Sequence, residues 1–323
     1  MINEIGFYSL AAKQLNKIKY KINDNNQLLN YLKNNGVCLD ELIWAGILNS
    51  NYELINEFKS INLWENKNNI INLLNNEVSK VKEIVDFKFH LFPQYVIKDS
   101  SNFRNVIIYY DVQRPTEYHY FYGLHYRNPK DIFFVLRYFD RQINNNKCLH
   151  LEDLQSEWSP FGKKDNFSKT NEEINLAIEK IEQIKCERNK DNYNEMTNKL
   201  FKEIASIKNK VPSGPYVMKV RHWVDLGIRR FIMSAVNENY DSLAITMGET
   251  HKHRYSSIGR LKILYSDIII KRFKYILNKI DPSIKFEIIE FSENESIIHA
   301  VVTDKIRKYV KNGFPTVSSR GFL

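Results

Sequence analysis

Cysteine is scarce in this chain: three residues in 323, Cys38, Cys148 and Cys186. They stand in unrelated contexts, and their spacings suit neither a disulfide framework nor a zinc knuckle, so no metal ligands are expected from them. Long hydrophobic runs are missing too. Nothing approaches the roughly 18 consecutive apolar residues that suggest a membrane span. The opening Met1-Ile2-Asn3-Glu4-Ile5-Gly6 lacks the basic segment and apolar stretch of a signal peptide. These absences give the expectation of a protein of a reducing cytoplasm with no membrane partner.

With 43% hydrophobic residues the chain can bury a sizeable core, and its length suits one large or two ordinary domains. Charge is unevenly placed. Residues 201–280 hold fifteen Lys/Arg against six Asp/Glu, an excess equal to the net charge of +9 for the whole chain. Tyr240, Tyr255, Tyr265, Phe273 and Tyr275 are interleaved with these cations, a pattern that could face nucleic acid through phosphates and stacked bases. The alternative is solvated helix faces with the rings in the core.

The densest polar cluster follows an apolar alternation in Lys147–Trp158. Leu149 and Leu151 point one way at period two, and the segment ends in Glu152, Asp153, Gln155, Ser156 and Glu157 before the single large anchor Trp158. A strand opening into a site is one reading; a solvated strand end over a buried tryptophan is the other. Arg137, inside the apolar run Ile132–Phe139, needs a partner if buried, and an acidic residue of the next strand is the nearest candidate.

Along the chain, residues 7–33 read as helical and Asn34-Asn35-Gly36 ends the run. Residues 1–90 form a helical N-terminal unit with no chemistry of its own, suited to docking or partner contact. Residues 91–323 read as an α+β main domain with a helical insertion at about 165–211. Strands are expected at 103–112, 118–126, 132–139 and 149–158, with a turn at Asn144–Lys147, giving an antiparallel meander. A helix from Trp223, a strand Leu243–Thr246, a helix Ile263–Ile280 and strands at 286–291 and 297–302 follow. Gly248, Glu249, Arg254 and Tyr255 fall on a loop at the carboxyl end of a strand, a common ligand position. The fold class is a mixed, largely antiparallel sheet flanked by helices.

Gly6-Phe7-Tyr8-Ser9, Gly36-Val37 with Asp40–Gly46, Asn102-Phe103-Arg104, His125, Arg137 with Asp140-Arg141, and Glu152–Trp158 together carry a resemblance. So do Pro212, Pro215, Trp223, Tyr240-Asp241, Thr246, Gly248, Glu249, Arg254-Tyr255 and the closing Thr303, Arg307, Gly313 and Pro315. Over its full length the chain resembles a module of the large polyvalent proteins of bacteriophages and conjugative elements. That resemblance implies a phage-associated, often virion-packaged protein. Glu157 and Ser159 stand where the module usually has Asp and His.

Three functions compete. The order of elements is similar to that of the CoA-dependent acetyltransferases, with a CoA thioester as cofactor, Glu152 as general base and Tyr265 as acid. Gln155 and Glu157 complete the catalytic candidates; Arg137, Ser156, Trp158, Gly248, Glu249, Arg254 and Tyr255 are the ligand-binding ones. Against it, Gln155–Gly162 lacks the glycine-rich turn that cradles a pyrophosphate in those enzymes. The second is an Mg²⁺-dependent nuclease using Asp111 and Asp153. The third is a virion cargo or anti-defence module that binds a partner without catalysis.

Overall fold

The computed structural model describes residues 1–87, 101–113, 120–122, 128–165, 167, 211–254, 263–292 and 294–319. The expected strand at 118–126 falls mostly outside these, as do almost all of the insertion and Tyr255.

The N-terminal run breaks into short pieces because polar side chains cap them. After strand β1 (Phe7–Tyr8), helix α1 (Leu10–Lys17) starts at Ser9, whose hydroxyl accepts from Ala12 N–H at 3.1 Å. Helix α2 (Asn25–Asn34) starts at Asp24, which accepts from Asn26 N–H at 2.9 Å. These capping groups interrupt what apolar spacing alone reads as one helix over 7–33. At its end Gly36, with φ +80°, turns the chain, as the Asn-Asn-Gly run predicts. Helices α3 (Asp40–Trp44), α4 (Asn56–Lys59) and α5 (Lys67–Ser79) follow. Leu15, Leu28, Leu32, Leu42, Ile70 and Leu74 join in a core of their own.

The main sheet begins at β2 (Val81–Asp86), inside the stretch that reads as the helical unit, and continues with β3 (Ser101–Tyr110), β4 (Ile132–Ile143) and β5 (Asn146–Gln155). Asn144 and Asn145, at φ +51° and +63°, make the two-residue hairpin turn between β4 and β5. Helix α6 (Trp158–Asp165) and the long helix α7 (Val220–Asn237) precede β6 (Ser242–Thr246). Next come α8 (Gly248–Arg254), a π-helical turn (Ile263–Ile269) running into α9 (Ile270–Ile280), β7 (Glu287–Ser292), β8 (Glu295–Val301), α10 (Asp304–Val310) and β9 (Phe314–Pro315). The expected loop after β6 is therefore a short helix. Glu249 in its first turn suits a helix N-terminus, and Thr250 pins it to β8 through Ser296.

Seven strands form one sheet in the order β2-β3-β4-β5-β6-β8-β7. Every neighbouring pair is antiparallel except β5 and β6, which run parallel from Cys148 opposite Ser242 to Leu151 opposite Ile245. A mixed, largely antiparallel α+β fold with a helical N-terminal stretch is thus established. Leu149, Leu151, Leu243 and Ile245 face the large core under α7 and α9. Gly227 lets α7 approach β5: a Cβ there would lie 2.7 Å from Leu154 Cδ1. The termini are tied in. β1 pairs in parallel with β9, and the fully buried Arg229 of α7 donates to Pro315 O at 2.6 Å and Thr316 O at 3.0 Å.

Candidate functional site

β5 is longer than its parallel partner. Its pairing with β4 continues to Gln155, whereas pairing with β6 stops at Leu151 opposite Ile245. Beyond that point β6 turns into α8, and the sheet opens between the two strands. A bulge accompanies the opening. Tyr138 stands opposite Leu151 and Arg137 opposite Asp153, which leaves Glu152 as the extra residue. Glu152 is fully buried and Asp153 nearly so.

Tyr265, on the π-helical turn, fills the place of the missing strand. Its hydroxyl accepts from Leu154 N–H at 2.7 Å and donates to Asp153 Oδ1. A backbone donor that has no β6 carbonyl to meet is thereby satisfied by a side chain. The ring of His251, from α8, lies 3.7 Å from that of Tyr265, and both are buried. The acidic end of β5 and the helix after β6 are therefore joined, through Tyr265 and His251. One strand residue back from Leu151, His150 Nε2 lies 2.9 Å from Thr246 Oγ1, across the same strand pair.

The remaining sequence candidates divide. Arg137 is buried and stands in register with Asp153 of the next strand, and its Nε donates to Asn105 Oδ1 at 3.3 Å. Ser156 is buried and accepts from Ser159 N–H at 3.3 Å, so it caps the start of α6. Gln155 and Glu157 are partly exposed at the strand end. Trp158 is a core anchor: fully buried, stacked on Phe121 and Phe133 at 5.3 and 5.9 Å, with its indole N–H donating to Pro212 O at 2.7 Å. Gly248 is buried at the start of α8 and Glu249 points to solvent near Lys252 at 3.9 Å. Arg254 ends α8, and its side chain lies outside the described residues, as does all of Tyr255.

The two-carboxylate arrangement for Mg²⁺ is not formed. Asn105 and Asp153 flank Arg137 in adjacent ladders, and Asp111 lies six residues farther along β3 and its exit. At the rise of an extended chain that is roughly 20 Å from Asp153, too far to share an ion. Among the described residues, several cations of the basic block are paired within the fold. Arg230 grips Glu83 at 2.6 Å, Arg272 grips Asp225 at 2.6 and 2.8 Å, and Lys219 reaches Asp40 at 2.5 Å. Tyr240, Tyr265 and Phe273 are buried, so their rings are not open to bases.

A second polar cluster joins the N-terminal unit to the start of α7. Cys38 Sγ lies 3.9 Å from His222 Nε2, and Asp40 Oδ2 lies 3.7 Å from His222 Nδ1. Tyr52 donates to Asp40 Oδ1 at 2.8 Å, and Trp44 meets the imidazole edge-on. Burial, reinforced by the negative charge of Asp40, pushes the Cys38 thiol up to about 12. Burial also lowers the His222 pKa and outweighs the attraction of Asp40, so the ring is neutral at pH 7 and the 3.7 Å approach is not an ion pair. Asp40 is itself buried, yet Lys219 and Tyr52 hold its carboxyl below the usual range. Sequence spacing does not announce this cluster. Cys38 and Asp40 are two residues apart, but His222 comes 184 residues after Cys38, and no local motif links them.

Among the described residues no helix is long and apolar enough to cross a membrane. Comparison with protein-family models, with curated proteins and with solved structures returns no match, so the site is read from its own geometry.

Proposed function

We propose that the chain is an acyltransferase-like enzyme that moves an acyl group from a CoA thioester, with its transfer site at the opening between β5 and β6. The observation that carries this reading is the strand order: antiparallel strands on both sides of a single parallel pair, which parts where a bulge and a tyrosine meet. An opening of this kind gives a linear arm such as pantetheine a path between two strands without breaking the sheet.

Glu152 takes a proton from the attacking amine or hydroxyl, and the new bond forms at the thioester carbonyl carbon. The carbon–sulfur bond then breaks. Tyr265, turning its O–H from Asp153, protonates the departing sulfur, and the proton held by Glu152 returns to the phenolate through solvent. The net change is one acylated product and one free thiol. Asp153 orients Tyr265 and the Leu154 N–H steadies the phenolate oxygen in between. Glu157 and the absence of glycine between β5 and α6 make that turn a poor cradle for a diphosphate, so contacts along the pantetheine arm carry more of the binding.

The likeness of the sequence to phage and conjugative-element polyvalent proteins supports a mobile-element setting in the host cytoplasm, with virion packaging as a route there. The N-terminal unit is the part suited to docking a host or virion protein. The test is a thermal shift with two ligand sets. Acetyl-CoA raises Tm in a concentration-dependent way, and Mg²⁺ with DNA does not. No response to acetyl-CoA or longer acyl-CoAs removes the acyltransferase reading; a response to Mg²⁺ and DNA alone favours the nuclease reading instead.

A further inference from the structure

Three donor types that suit zinc stand together far from any sequence motif. One atom each from Cys38, Asp40 and His222 lies within 4.8 Å of the other two. Tetrahedral Zn²⁺ with bonds of about 2.0–2.3 Å separates its ligands by roughly 3.5 Å, so small rotations of three side chains close the set. From this geometry we infer that Cys38, Asp40 and His222 bind one divalent ion of the zinc class, with a fourth position open to solvent or a ligand.

The surroundings fit that assignment. Tyr52 holds Asp40 by its other oxygen, in the way outer hydrogen bonds orient a ligating carboxylate. Trp44 packs against the imidazole and limits its swing. Without metal the carboxylate is balanced by Lys219, whose side chain is half exposed and free to leave toward water. The ion bonds to the thiolate sulfur and the thiol proton passes to solvent, while the neutral imidazole needs no deprotonation. The donor set of one sulfur, one nitrogen and one carboxylate oxygen favours Zn²⁺ or Co²⁺ over Mg²⁺ or Ca²⁺. The ion would also tie the N-terminal unit to α7, since Cys38 and Asp40 belong to the first and His222 to the second. This site is independent of the opening between β5 and β6.

Titration of the full-length protein with CoCl₂, followed by ZnCl₂ competition, tests it. One Co²⁺ per chain, a thiolate-to-cobalt charge-transfer band and loss of that band in Cys38→Ser are expected. No stoichiometric binding, or a band that persists in Cys38→Ser, overturns the inference, since the signal then comes from another thiol or none. Should Cys38→Ser fail to fold, Lys219→Met decides. Removing the competing cation raises Co²⁺ affinity by about tenfold if the ion sits on Asp40, and unchanged or weaker affinity overturns the inference.

Discussion

Removing a single oxygen from Tyr265 tests both the architecture of the opening and the chemistry assigned to it. In Tyr265→Phe the ring still packs against His251, but two buried partners lose their bond: Leu154 N–H, now 2.7 Å from nothing that accepts, and the Asp153 carboxylate. An unsatisfied buried donor costs about 1–3 kcal/mol, and a lost hydrogen bond to a charged group is of similar size. Together they give a destabilisation of about 3 kcal/mol. For a chain of this length that is a fall in Tm of roughly 5 °C. The same variant should lower kcat for acyl transfer by about 10²-fold or more while KM stays within roughly twofold, the pattern of a lost proton donor. Differential scanning calorimetry and thiol-release kinetics read the two effects separately. A Tyr265→Phe protein as stable as the native one refutes the claim that this hydroxyl completes the ladder. A destabilised variant with unchanged kcat leaves Tyr265 a structural residue and removes it as the acid.

Three further outcomes follow from buried groups. Gly227→Ala places a methyl 2.7 Å from Leu154 Cδ1 and 3.1 Å from Cδ2; overpacking of about 1–3 kcal/mol exceeds the gain of about 1 kcal/mol in helix propensity, so urea unfolding should show a lower midpoint. Arg229→Met leaves Pro315 O and Thr316 O without their donor, and a loss of about 1–3 kcal/mol for a stranded buried acceptor should expose the C-terminal segment to limited proteolysis. Glu41 is fully buried, and burial raises its pKa to about 7 despite hydrogen bonds from Ser9, Leu10 and Ala11. The folded state therefore keeps this proton longer than the unfolded state. The resulting stability is fully present below the unfolded value near 4.5, falls as pH rises through 7, and amounts to about 3 kcal/mol. Glu41→Gln should flatten that part of the stability–pH curve, as read by chemical unfolding at several pH values.

Periodicity carried much of the fold. Leu149 and Leu151 alternate into the core as two-residue spacing demands, and Trp223, Leu226, Phe231 and Ala235 line the buried face of α7. Features made by pairing across the chain were not legible. The bulge at Glu152 depends on the register of β4 against β5, and nothing in either strand alone states it. β1 and β9 are two residues each and sit at opposite ends of the sequence, too short to show a pattern. In the site, Tyr265 and the acidic end of β5 were both visible as chemistry, but their hydrogen bond is made by tertiary packing. The stretch from Gly248 to Tyr255 read as a loop because Gly248 suggested a break, whereas Gly248–Arg254 is a short helix that carries the His251 ring onto Tyr265. Trp158 stood both as the anchor of its segment and among the ligand-binding candidates, and it is buried against the stacked rings of Phe121 and Phe133.

Amide hydrogen exchange with and without saturating acetyl-CoA tests the central proposal most directly. Slowed exchange in both 152–156 and 246–251, the two lips of the opening, is the predicted result. Exchange unchanged in both segments, or protection confined to other parts of the chain, would contradict the placement of acyl transfer between β5 and β6.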